Sequence, residues 1–165
     1  MPKLQPGDKA PDFTLPAIDG SQLTLSHHLH RGPVLLTFYR GDFCPVCNLH
    51  LRSLQDRVEQ FQEAGAQIVA ISSAQPDLAQ HTVQRQQLAF PVLSDPERRV
   101  VKAYDVVYNE LEGHAEPAVF VISPEGVIVY ESIISGPIGR PTPDDLLKIV
   151  QMARPSGKAS PVQAA

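Results

Sequence analysis

Tryptophan is missing from this 165-residue chain, and cysteine occurs only twice, too rarely for a disulfide scaffold. No apolar run approaches the roughly 18 residues of a spanning helix, so no membrane association is expected. Basic residues are outnumbered, 14 Lys and Arg against 18 Asp and Glu, and never gather into a block. A nucleic-acid partner is therefore not expected, because phosphate binding needs a clustered cationic face. The opening stretch MPKLQPGDKAPDF lacks the apolar centre of a signal peptide, and a cytoplasmic location is expected. No internal repeat is visible. His27, His28 and His30 have no carboxylate or thiol at partner spacing, so they read as a polar loop and not as a metal site. Neither a metal nor a cofactor is expected.

What is present is an alternation of short apolar runs with helical periodicity. Phe13–Leu15 and Leu23–Leu25 read as strands around a turn at Asp19-Gly20. The run from Pro33 to Tyr39 has the pattern of a strand buried on both faces. Leu51, Leu54, Val58 and Phe61 then fall at helical spacing, predicting one helix from Pro45 to about Ala64. Gln67–Ser72 is a second buried strand, so strand, helix and strand make a right-handed parallel unit. Helices are expected over Pro76–Leu88, Pro96–Tyr104 and Pro143–Met152, the last capped by Thr142. Ala118–Ile122 and Val127–Glu131 read as a hairpin about Ser123–Gly126. One domain over 1–153 is expected, with a disordered tail over 154–165.

The two cysteines stand in Phe43-Cys44-Pro45-Val46-Cys47, where a buried strand turns into a helix. In that context C-x-x-C reads as a redox pair. Proline suits the first helical position, which makes Cys44 the N-cap and puts Cys47 in the first turn. The unpaired N–H groups and positive dipole end there favour thiolate, the nucleophilic form. Two buried structural cysteines would not need a helix start, and zinc would need two more ligands. An N-cap cysteine is expected to stay solvent-accessible, and one within the first turn to be buried.

The segments Pro6–Leu15, Phe90–Pro96 and Phe120–Gly126, with the cysteine motif, resemble the AhpC/TSA, or peroxiredoxin-like, branch of the thioredoxin superfamily over about residues 4–152. The resemblance implies an α/β thioredoxin fold, a central mixed sheet flanked by helices with an N-terminal β-hairpin. It also implies a thiol-dependent peroxidase acting on hydrogen peroxide or alkyl hydroperoxides. In the family pattern P-x-x-x-[TS]-x-x-C, Cys47 takes the peroxidatic position, Cys44 replaces the Thr or Ser, and Arg40 replaces the Pro. Pro117 stands where the family arginine would precede a strand, and resembles the cis-proline that faces C-x-x-C in thioredoxins.

The catalytic residues expected are thus Cys47, which attacks, and Cys44, which resolves. Arg40 and Pro117 are expected to bind substrate, Pro117 through a cis bond beside the thiols. His50 shares the helical face of Cys47 but reads as a surface residue, and Glu116, if it faces the thiols, would raise their pKa. A thioredoxin or other dithiol is the expected reductant, and the chain is a monomer or homodimer. Two alternatives stand beside this one: a thioredoxin-like protein disulfide oxidoreductase, and a dimeric module in which pairs from two chains hold a metal or cluster.

Overall fold

Alternation along the first buried strand decides the architecture, since each residue must find apolar cover on one face or the other. The computed structural model describes residues 4–134 and 140–153. In chain order it runs β1 (Thr14–Pro16), β2 (Gln22–Thr24), α1 (Leu25–Leu29), β3 (Val34–Phe38), α2 (Pro45–Asp56), α3 (Val58–Glu63), β4 (Gln67–Ser72) and α4 (Pro76–Gln86). There follow β5 (Val92–Ser94), α5 (Arg99–Ala103), β6 (Tyr108–Asn109), β7 (His114–Ala115), β8 (Ala118–Ile122), β9 (Ile128–Ile133) and α6 (Pro143–Met152). The main sheet has the order β5-β4-β3-β8-β9. Strands β3, β4 and β5 are parallel, and β8 lies antiparallel between β3 and β9.

Leu35 and Tyr39 turn to one face, where they pack with Leu51, Leu54, Phe61, Leu146 and Val150 of α2, α3 and α6. Leu36 and Phe38 turn to the other, with Val100, Val101, Tyr104 and Phe120. Both cysteines belong to the first layer, so the motif is seated in the core at the carboxyl end of β3.

The structure corrects several details. The helix after Pro45 is two helices, because Arg57 leaves helical geometry (φ −111°, ψ 13°) and its N–H bonds back to Leu54 O at 3.1 Å. That break turns Phe61 fully inward and leaves Val58 half-buried. Residues 25–29, read as strand end and loop, form α1, and His28 faces Gln67, its Nδ1 lying 2.8 Å from Oε1. Residues 96–98 are a turn. The buried Asp95 carboxylate takes the N–H groups of Val100 and Val101 at 2.9 and 3.0 Å and starts α5 late. The short hairpin β6–β7 was not anticipated at all. The tail over 154–165 lies outside the described residues, and no helix among those described is long and apolar enough to cross a membrane.

Candidate active site

Cys44 is the N-cap of α2, with Pro45 at the first helical position. Its Sγ accepts the Cys47 N–H at 3.3 Å, so the cap bond that an oxygen would make is made by sulfur. The loop before it is held from α4: the Asp42 carboxylate meets His81 Nδ1 at 2.7 Å and Thr82 Oγ1 at 3.3 Å. Asn48 Nδ2 donates to Asp42 O at 2.9 Å. Gly41 has φ 154°, and a Cβ there would lie 2.7 Å from Phe43 Cε1, so only glycine lets the Phe43 ring fold back over the loop.

Two guanidinium groups meet the sulfurs. Arg40, directly after β3, places Nη1 4.0 Å from Cys44 Sγ, and its backbone N–H donates to Cys47 Sγ at 3.4 Å. Arg140, before α6, donates from Nη2 to Cys47 Sγ at 2.7 Å. Burial pushes the Cys44 thiol up. Bonds from the Cys47 side chain and N–H and the nearby Arg40 and Arg140 outweigh it, so its pKa falls below the ordinary thiol value. Cys47 goes the other way, pushed up to about 12 by burial and by its bond to Cys44, against Arg40 and Arg140. The pair therefore holds one charge, first on Cys44, while the closer cation faces the sulfur that keeps its proton longer. The expectation of an accessible N-cap does not hold: Cys44 is 2% exposed and Cys47 0%, because the Phe43 loop, α2 and Arg40 close over both.

Arg40 is itself enclosed. Its Nη2 donates to Glu112 Oε1 at 2.8 Å and lies 3.2 Å from His114 Nε2. Its Nε is 3.3 Å from Glu116 Oε2, an ion pair without hydrogen-bond alignment. The Arg40–Glu116 pairing continues the β3–β8 register, in which Phe38 is opposite Ala118. By the same register Pro117 lies opposite Tyr39, buried. The Glu116–Pro117 bond is trans, as are all those described, which corrects the cis expectation. The reason is the extended path there: Glu116 N–H donates to Val107 O at 2.7 Å, and Pro117 O accepts from Ile134 N at 3.0 Å. Glu116 is turned to Arg40, so its charge is met there before it reaches a thiol.

The AhpC/TSA family model matches residues 6–131. The chain belongs to the AhpC/TSA family. A Mycobacterium tuberculosis protein assigned as a peroxiredoxin is 35% identical over 133 residues, 77% of this chain and 83% of its own. The thiol-disulfide oxidoreductase ResA of Bacillus subtilis is 28% identical over 155 residues, 93% of this chain and 80% of its own. Among solved structures, peroxidoxin BcpB of Mycobacterium tuberculosis superposes with a TM-score of 0.81 at 24% identity, covering 92% of this chain and 99% of that one. That likeness speaks for the fold, which is the thioredoxin fold. The enzyme class is thiol-dependent peroxidase.

Where the AhpC/TSA pattern has an arginine this chain has Pro117, and a guanidinium reaches Cys47 from another part of the chain. Arg140 is 93 positions from Cys47 and was not found by sequence reasoning. Its one local signal is an arginine directly before the Pro141-Thr142-Pro143 helix start. Glu112 and His114 were missed for the same reason, since Glu112 is 72 positions from Arg40. His50 is half-buried with its Nε2 enclosed: burial, then Arg140, depress its pKa to about 4, and the ring stays neutral.

Proposed function

We propose that the protein reduces hydrogen peroxide or alkyl hydroperoxides through Cys47 and Cys44, and that a thioredoxin or other dithiol regenerates it. The observation that carries this reading is the pair of sulfurs at the start of α2, with the Cys47 N–H donated to Cys44 Sγ and each sulfur faced by a guanidinium. Cys47 passes its proton to the Cys44 thiolate and attacks one peroxide oxygen. The O–O bond breaks, Cys47 becomes sulfenic acid, and the leaving alkoxide or hydroxide takes the proton back from Cys44. The Cys44 thiolate then attacks the Cys47 sulfur, the S–O bond breaks, and hydroxide leaves as the disulfide forms. Arg140 and the Arg40 N–H stand where charge develops on Cys47 and the leaving oxygen. Arg40 and the buried Pro117 form the neighbouring wall of the peroxide site. The setting is the cytoplasm, with the chain a monomer or homodimer.

Treating the reduced protein with one equivalent of peroxide is expected to remove two hydrogens by mass, with no added oxygen. Sulfinic acid as the main product would contradict the resolving role, since it forms when no second thiol intercepts the sulfenic acid.

A second reading is favoured by the depressed pKa of Cys44, the property of an attacking thiol in disulfide exchange. It makes the protein a disulfide oxidoreductase, as ResA is named. Peroxide consumption measured beside insulin-type disulfide reduction separates the two.

A further inference from the structure

The turn between β6 and β7 is built around one side chain. Asn109 Oδ1 accepts the N–H groups of Leu111 and Glu112, each at 3.0 Å, and Asn109 O accepts from Gly113 at 2.7 Å. Gly113 has φ 78°, a conformation that a residue with a Cβ adopts at a cost. The result presents the Glu112 carboxylate to Arg40. Buried His114, on β7, grips the same oxygen through Nε2 at 2.8 Å, and its Nδ1 lies 3.0 Å from Ala115 O. Asn109 Nδ2 adds a long contact to it at 3.4 Å. Glu116 approaches Arg40 without hydrogen-bond alignment, so of the two carboxylates it is Glu112 that accepts an aligned bond from the guanidinium. The exposed Phe43 ring, 5.6 Å below Arg40 Cζ and 5.1 Å from the His114 ring, completes the enclosure.

We propose that Glu112, gripped by His114 and presented by the 109–114 turn, is a positioning residue that holds Arg40 over Cys44. This rests on the reading that Cys44 and Cys47 are the reacting pair, but its test measures the thiolate and not turnover. Two effects of removing Glu112 have opposite signs. Loss of a nearby negative charge would by itself favour the Cys44 thiolate. Loss of the guanidinium's anchor disfavours it, because the cation no longer stays at the sulfur.

The test uses the full chain carrying Cys47→Ser, in which Cys44 is the single thiol, and follows ultraviolet thiolate absorbance against pH. Glu112→Ala is expected to move the Cys44 titration to higher pH, weakening the thiol as an acid roughly three- to tenfold. Glu112→Gln, which keeps an acceptor oxygen, is expected to recover most of it. In an Arg40→Met background, where only the charge effect is left, Glu112→Ala is expected to leave the titration in place or move it slightly to lower pH. With Arg40 present, a titration that stays put or moves to lower pH overturns the proposal, as does the same upward shift without Arg40. If the peroxidase reading fails while these shifts appear, the positioning role still stands as a property of the thiol pair.

Discussion

Arg40 approaches Cys44 from inside a net of carboxylates, whereas Arg140 approaches Cys47 with the neutral His50 ring behind it. On the β3 side the cation is neutralised and fixed, and it sits 4.0 Å from its sulfur. On the α6 side the cation lies at 2.7 Å from a sulfur that nevertheless keeps its proton, because burial and the Cys44 charge weigh more. Proximity of a guanidinium alone does not decide which thiol ionises. The helix N-cap and the partner sulfur decide it, and Arg140 faces the sulfur on which charge appears during reaction.

Removing one cation at a time breaks this comparison most severely. Arg140→Met is expected to lower the second-order rate with peroxide by about 100-fold or more, the scale of losing an aligned donor to developing charge. A loss under threefold would show that Arg140 does not meet the reacting atoms. Arg40→Met is expected to cost less, about tenfold, with a different signature. Because the Cys44 pKa lies below the ordinary thiol value, the rate rises with pH and levels off early. Without Arg40 that rise is expected to move to higher pH, and an unmoved profile would contradict the contact's role.

His50 sharpens the α6 side through stability. Its pKa is about 4 in the folded protein against 6.5 ordinarily. Between those values the unfolded chain binds the proton and the folded one does not, so stability is whole above pH 6.5 and is lost as pH falls toward 4. At about 1.4 kcal/mol per pH unit the full loss is about 3 kcal/mol. His50→Gln is expected to flatten denaturant midpoints over that window, and an unchanged slope would count against the neutral ring. The smallest effect is expected at Phe43, whose 61%-exposed ring covers Arg40 from the solvent side. Phe43→Leu is expected to alter the peroxide rate about twofold or less, since an exposed cation–π contact contributes under ~1 kcal/mol. A tenfold change in stopped-flow would make the ring part of the reacting site.

Much of this site was legible because its core is local. The C-x-x-C, the proline at the helix start and Arg40 lie within eight positions of one another, where strand, turn and helix rules act directly. The sheet was legible for the same reason, since the near-continuous apolar runs at 33–39, 67–72 and 118–122 have nowhere to go but the middle. What stayed hidden depends on tertiary closure. Arg140 reaches Cys47, and Glu112 reaches Arg40, only after β8 has paired with β3 and α6 has packed on the sheet. The break at Arg57 was hidden because Leu51, Leu54, Val58 and Phe61 keep helical spacing across it. Accessibility at Cys44 failed as an expectation because a cap position fixes backbone geometry but not what a neighbouring loop lays over it.

A single-turnover reaction with each cysteine replaced in turn separates the roles of the two sulfurs. Protein in excess is mixed with peroxide, and a dimedone-type reagent traps sulfenic acid. Cys44→Ser is expected to yield trapped sulfenic acid on Cys47, and Cys47→Ser is expected to be inert. Sulfenic acid on Cys44 of the Cys47→Ser protein, with an unreactive Cys44→Ser protein, would reverse the roles and favour the disulfide-exchange reading.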